Sequence, residues 1–285
     1  MSQSVFQPGS TALITGAASG IGLALAKHCY RSGMNVILAD ISSQALASAE
    51  SALEKPSSGS AGTTRFVTTD VTKIADWEAL KETVAQSFKT VELLVLNAAI
   101  GIRGKSWGDH EYFRQTLETN LFGVLNGVNT FLPIVKEASS SRKTSIIITG
   151  SKQGITNPPG NPAYNASKAA VKSLAEGLDW ELRNDPTSVH LLVPGWTYTG
   201  MTKAPDSTEK PAGAWTPEQV VEFLVKKMAD GKFYVICPDN DVTEETDKKR
   251  MLYAAGDITQ ERPALSRWRE DWKDKAADII SKTEV

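Results

Sequence analysis

The sequence predicts an α/β fold: a doubly wound parallel sheet of about seven strands, helices on both faces, and an extra helical tail at the C-terminus. Three observations predict it. Short apolar runs alternate with segments of helical periodicity from residue 11 to residue 237. The runs are continuously apolar, as in strands covered on both faces. The 285 residues are 41% apolar and 22% charged, which supports a sizeable core and argues against global disorder.

The elements follow in order. Residues 11–15 read as the first strand and 21–31 as a helix. Residues 35–39 are strand, 44–54 helix, and 56–62 a Ser/Gly loop. Strand 65–68 precedes helix 74–88, and strand 92–96 precedes one long helix over 111–137. Residues 145–149, with three consecutive isoleucines, are the cleanest strand. Helix 163–184, strand 189–193, helix 217–229 and strand 233–237 complete the alternation.

Two stretches fall outside this rhythm. Residues 197–214 hold Pro205, Pro211 and Gly213 and lack periodicity. A loop that long in a compact domain is usually functional, so 197–215 is the expected substrate loop. Residues 239–285 are rich in charge, with Trp268 and Trp272 one helical turn apart. They predict helical turns packed onto the domain or onto a second subunit. The expected organisation is one domain over 1–285, with that loop and the C-terminal extension 239–285 as its additions.

Composition narrows the function. The formal net charge is −2, whereas a nucleic-acid binder is usually basic. No apolar run approaches the ~20 residues of a membrane span. Met1 to Gly9 lacks the charged and apolar regions of a signal peptide, so the cytoplasm is the expected location. Cys29 and Cys237 stand in apolar contexts and read as buried free thiols. His28, His110 and His190 have no ligand spacing, so no metal site is expected.

The first strand runs into Thr15-Gly16-Ala17-Ala18-Ser19-Gly20-Ile21-Gly22, and a helix follows. Glycines permit the tight turn and bring backbone close to a pyrophosphate, while the helix N-terminus offers amides and a positive dipole end. Strand before and helix after make this a Rossmann-type nucleotide loop; no Gly-Lys-Ser/Thr follows, so it is not a Walker loop. Asp40 closes the second strand and suits the adenosine ribose hydroxyls, while repelling a 2′-phosphate. Neither the glycine loop nor 41–43 carries Lys or Arg, which favours NAD over NADP. Asp70 and Val71 follow the third strand and Asn97, Ala98 and Ala99 the fourth, at the strand ends where ligands gather.

Tyr164 and Lys168 lie four apart on the expected helix 163–184, on one face. An ammonium beside a phenol lowers its pKa toward a range useful for proton transfer. Ser151 follows the isoleucine strand. The segment 150–154 is not a Gly-x-Ser-x-Gly elbow and no His is suitably placed, which argues against a serine hydrolase.

With these residues in place the chain resembles the short-chain dehydrogenases/reductases of the shorter, single-domain type. The resemblance covers about 10–240 and rests on Thr-Gly-x-x-x-Gly-x-Gly at 15–22, Asp70, Asn97-Ala98-Ala99, Asn120, Ser151, Tyr164-x-x-x-Lys168 and Pro194-Gly195. It implies that Tyr164 is the general acid or base and that Lys168 lowers its pKa and holds the nicotinamide ribose. It implies that Ser151 binds the substrate oxygen and that Asn120 holds a proton-relaying water. Gly16, Ser19, Gly20, Ile21, Gly22, Asp40, Ile41, Asp70, Val71, Asn97, Ala98, Ala99, Tyr164, Lys168, Pro194, Gly195, Thr197 and Thr199 would contact the dinucleotide. Ser151, Tyr164, Trp196, Met201 and Trp215 would meet the substrate. Dimers or tetramers, joined through the two long helices, are also implied.

The chain departs from the family pattern at Leu96 and Ala99, at Lys152 and Gln153, and in the long tail. A Lys beside the pocket would bias substrate charge. The expected activity is NAD(H)-dependent interconversion of a largely apolar secondary alcohol and its ketone. An NADPH-dependent ketoreductase and a non-catalytic nucleotide sensor stand as alternatives.

Overall fold

The computed structural model describes residues 4–53, 62–202 and 209–285. In chain order they form β1 (Thr11–Thr15), α1 (Gly20–Arg31), β2 (Asn35–Asp40), α2 (Ser43–Ala52), β3 (Thr64–Thr68), α3 (Ile74–Ser87) and β4 (Leu93–Leu96). Next come α4 (His110–Leu117), α5 (Gly123–Ala138), β5 (Ser145–Thr149), α6 (Gln153–Thr156), α7 (Pro162–Glu181) and β6 (Ser188–Val193). Finally α8 (Pro217–Ala229), β7 (Tyr234–Ile236), α9 (Glu244–Thr259) and α10 (Lys273–Lys282) complete the chain.

All seven strands are parallel, in the order β3-β2-β1-β4-β5-β6-β7. The period of two sorts each strand's side chains onto opposite faces. Ala12 and Ile14 of β1, Val36 and Leu38 of β2, and Ile147 of β5 join α1 and α8 in one core. Leu13, Ile37, Ile146 and Ile148 face the other way and pack with α3, α5 and α7. Both faces are therefore covered, as the unbroken apolar runs require. Strand order reverses between β1 and β4, and a crevice opens there at the carboxyl ends.

The expected single helix over 111–137 is divided. A π-helical turn, Glu118–Phe122, separates α4 from α5. One extra residue per turn re-aims the side chains there, and such turns recur at functional sites. Asn120 uses the altered register to reach Ile100, accepting from its N–H at 2.8 Å and donating to its carbonyl at 3.0 Å.

The tail is helical, as expected, but its two tryptophans are placed differently. Trp268 and Trp272 do not share a helix: they end separate 3-10 turns, Ser266–Trp268 and Glu270–Trp272, parted by extended Arg269. α9 packs against α6, and α10 packs against α9. Inside the tail Asp257 accepts from the Ser266 N–H at 3.0 Å and from its hydroxyl at 2.6 Å, and pairs with Arg262 at 2.9 Å. Part of the expected 56–62 loop, residues 56–61, and residues 203–208 of the expected substrate loop lie outside the described residues. Among the described residues no helix is long and apolar enough to cross a membrane.

Candidate active site

A cleft of about 630 Å³ lies over the carboxyl ends of the strands. One end is made by the turn from β1 into α1. Gly16 (φ +62°) and Gly20 (φ +53°) hold left-handed conformations there, and a Cβ on Gly16 would stand 2.9 Å from the Ala98 Cα. Ser19 caps α1 without a side-chain bond, and the first turn holds no acid. The first amides and the positive dipole end are thus left for an anion. Asp40, ending β2, accepts from the Ala18 N–H at 3.0 Å and the Ser42 N–H at 3.1 Å. Ile41 beside it is 67% exposed. Burial pushes the Asp70 carboxyl up, but hydrogen bonds from Thr72 and the Lys73 ammonium, 3.3 Å away, outweigh it and hold the group below its ordinary range.

Asn97 ties this end to the next. Its amide donates to the Thr15 and Gly16 carbonyls at 3.1 and 3.3 Å, and its oxygen accepts from the Thr149 hydroxyl at 3.2 Å. β1, β4 and β5 therefore hold one another in register at the crevice.

At the other end Lys168 of α7 is buried and donates to the Thr149 carbonyl at 2.8 Å. Burial lowers its pKa to about 8. Its Nζ lies 5.8 Å from the centre of the Tyr164 ring. The expected depression of the Tyr164 pKa is overturned: burial raises it, and the hydrogen bond from Ser151 offsets only part of the rise. A buried phenol loses solvation on ionising, and that loss sets the direction. Ser151 also accepts from the Gln153 N–H at 3.2 Å, which starts α6.

A loop after β6 closes the cleft. Thr199 leans on the glycine turn, where a Cβ on Gly20 would lie 3.1 Å from its Cγ2. Met201 leans on the segment after β4, where a Cβ on Gly101 would lie 3.1 Å from its Cγ. Trp196 and Met201 present exposed apolar surface to the cleft.

Of the expected cofactor residues, all but Gly22 line this cleft. Gly22 lies beneath the turn, where a Cβ would fall 2.2 Å from the Gly16 carbonyl oxygen. Three other singled-out residues have partners of their own. Asn120 is fully buried and absent from the cleft wall; besides Ile100 it donates to the Ser167 hydroxyl at 3.1 Å. Trp215 does not line the cleft: its ring packs edge-on against Phe223 at 5.8 Å, and its backbone bonds Trp196 and Tyr198. Lys152 lines the cleft but is ion-paired with Asp239 and Asp247, so it adds no free charge. Thr69, Thr119, Thr149, Gln153 and Thr202 line it unannounced. Thr149 ends a fully buried strand, a position that could have flagged it.

The positive-φ glycines, the uncapped helix amides and the flat apolar surface of Ile41 together fit a dinucleotide. A model for the short chain dehydrogenase family matches residues 10–210. The chain belongs to the short chain dehydrogenase family. It is an NAD(P)-dependent dehydrogenase/reductase by class, which removes the sensor alternative. Oxidoreductase asL5 of Sarocladium schorii is 34% identical over 198 residues, 68% of this chain and 75% of that protein. An NADP-dependent (R)-specific alcohol dehydrogenase of Lentilactobacillus kefiri is 32% identical over 71% of this chain and 79% of its own. A short chain dehydrogenase/reductase structure from Burkholderia phymatum, in complex with NAD, is 28% identical with a TM-score of 0.79. It covers 92% of this dehydrogenase and 98% of its own chain. Among the described residues no cluster of three or more His, Cys, Asp or Glu is placed to hold a metal ion.

Proposed function

We propose that this dehydrogenase uses NAD(H) to interconvert a secondary alcohol and a ketone beside Tyr164. The observation that carries the proposal is a single cleft shared by the Asp40 carboxylate, the uncapped α1 amides and the hydrogen-bonded Ser151 and Tyr164 hydroxyls. Bound there, the dinucleotide supplies or accepts the hydride. The chain supplies proton handling and orientation. Tyr164 donates its phenolic proton to the carbonyl oxygen in reduction and, as phenolate, takes the hydroxyl proton in oxidation. Its raised pKa keeps the phenol protonated at neutral pH. Ser151 donates to the same oxygen and holds it against Tyr164. Lys168, fixed by the Thr149 carbonyl, holds the nicotinamide ribose and lends positive charge when the phenolate forms. Asn120 is a positioning residue: it pins Ile100 and Ser167 behind the reacting groups.

Asp40 and the lack of a cationic side chain at Ile41, Ser42 and Ser43 support NAD. The NADPH reading draws on one observation: both Asp40 oxygens accept backbone N–H groups, which blunts repulsion of a 2′-phosphate. Trp196 and Met201 support a largely apolar substrate, cyclic or aromatic. Two buried free thiols support a reducing, cytosolic setting. Exposed Phe122 and Trp180, in the two long-helix segments, support a homodimer or homotetramer.

The deciding experiment is a turnover screen with NAD and NADP over cyclic, aromatic and small polar alcohols. Faster oxidation of the cyclic or aromatic alcohols with NAD is expected. Reaction of small polyols alone, or an absence of dinucleotide binding, overturns the proposal.

A further inference from the structure

The residue after Ser151 is a lysine, and the C-terminal segment is built around it. Lys152 caps α6 and lines the cleft, yet its side chain is only 16% exposed. Its Nζ lies under the Pro194–Gly195 turn, where a Cβ on Gly195 would come within 2.9 Å of it. Two carboxylates meet it there. Asp247, in the first turns of α9, is in ion-pair contact, and Asp239 stands 3.5 Å away. Both carboxylates are 6% exposed.

Each acid is anchored. Asp239 accepts from the Trp196 N–H at 3.1 Å and the Asp241 N–H at 3.1 Å, so the acid that faces Lys152 also holds the tryptophan on the cleft wall. α9 is fixed by a Thr243 cap and by the Glu244–Lys227 pair at 2.9 Å, and Asp247 also feels Arg250 and Arg267. The two buried carboxylates counter the charge of the buried ammonium and leave no net positive charge for a ligand.

We propose that Lys152 is a specificity-determining residue whose charge the C-terminal segment holds in check: Asp239 and Asp247 occupy its ammonium, so the Ser151 end of the cleft admits neutral carbonyl compounds and excludes carboxylates. The proposal rests on the preceding functional reading only in seating a substrate beside Ser151. Asp247 acts through Lys152, as a positioning residue. With both acids neutralised, Lys152 is a buried cation in want of an anion, and a ligand carboxylate supplies one. A hydrogen bond to a charged group is worth a factor of about ten to a hundred in binding.

The test compares 4-acetylbenzamide with 4-acetylbenzoate, ketones that differ in one charge. Their affinities for NAD-saturated protein are measured by calorimetry, where the oxidised cofactor prevents reduction of the ketone. The intact protein is expected to bind the amide about tenfold or more tightly than the carboxylate. Asp247→Asn narrows that ratio, Asp239→Asn/Asp247→Asn reverses it, and adding Lys152→Met restores the preference for the amide. Thermal melting establishes that each variant folds; if the double variant does not, Asp247→Asn decides alone. An intact protein that binds neither ketone, or both equally, overturns the proposal. So does an unchanged ratio in the folded variants, or a changed ratio that survives Lys152→Met. Turnover of 4-acetylbenzamide with NADH is scored separately, so a failed functional reading is told apart from failed charge selection.

Discussion

Lys168 and Thr149 are joined by one hydrogen bond of 2.8 Å, from the buried ammonium of α7 to the last carbonyl of β5. It fastens the helix that carries Tyr164 to the strand that leads into Ser151. The two hydroxyls of the proposed site are thus set by one helix, one strand and the cation between them.

Replacing Tyr164 with Phe removes the proton donor while keeping the ring. kcat for ketone reduction is expected to fall about 10²- to 10⁴-fold. The dissociation constant for NADH, read by fluorescence titration, should stay close to that of the intact protein. Equal losses in both would make Tyr164 a binding residue only.

The Tyr164 pKa is raised by burial, so alcohol oxidation, which needs the phenolate, should accelerate as pH rises above neutrality. Ketone reduction, which needs the phenol, should be flat through the neutral range and fall only at alkaline pH. Pre-steady-state rates in both directions across a pH series check the opposed slopes. Parallel slopes would remove Tyr164 from the proton path.

Lys168 has a folded pKa of about 8 against 10.5 for the unfolded group. Between those values the unfolded chain binds the extra proton, so stability from this group rises with pH across that window. Below about 8 both states carry the charge and its contribution is constant. Urea unfolding of the intact protein and of Lys168→Met should therefore give stabilities whose difference is flat below pH 8 and shifts in favour of the intact protein above it. A difference independent of pH up to 10.5 contradicts this.

Asp40→Ala removes an acceptor of the Ala18 and Ser42 N–H groups and the negative charge at that end of the cleft. NADH affinity is expected to drop about tenfold or more, the worth of a charged hydrogen bond. NADPH affinity should hold or improve. Titration of the variant with both dinucleotides reads the ratio, and an equal loss for the two would assign Asp40 a purely structural part.

Gly22→Ala places a methyl 2.2 Å from the Gly16 carbonyl oxygen and 2.8 Å from the Asn97 amide nitrogen. Both partners are fixed, since Asn97 is bonded to β1 and β5. Destabilisation of about 1–3 kcal/mol is expected, together with weakened dinucleotide binding. Denaturant unfolding measures the first and titration the second; an unaltered melting curve would show that the turn can yield.

The strands were legible because each is a short unbroken apolar run between helices that must cover it, and the glycine turn because its spacing is local. Tyr164 and Lys168 were legible for the same reason: four residues on a helix give one face whatever surrounds it. The π-helical turn at Glu118–Phe122 was not, since Asn120 leaves α-helical register to bond Ile100, twenty residues away. Trp215 carries no mark that separates a cleft wall from a partner for Phe223.

Local spacing, then, was enough for the parallel sheet, the nucleotide turn and the paired Tyr and Lys, because period and propensity act over a few residues. Contacts between distant segments decided the rest. They turned Asn120 inward, sent Trp215 away from the cleft, and set Asp247 on Lys152 across 95 residues. They also raised the Tyr164 pKa, because desolvation depends on everything packed around a group and not on its neighbours in the chain.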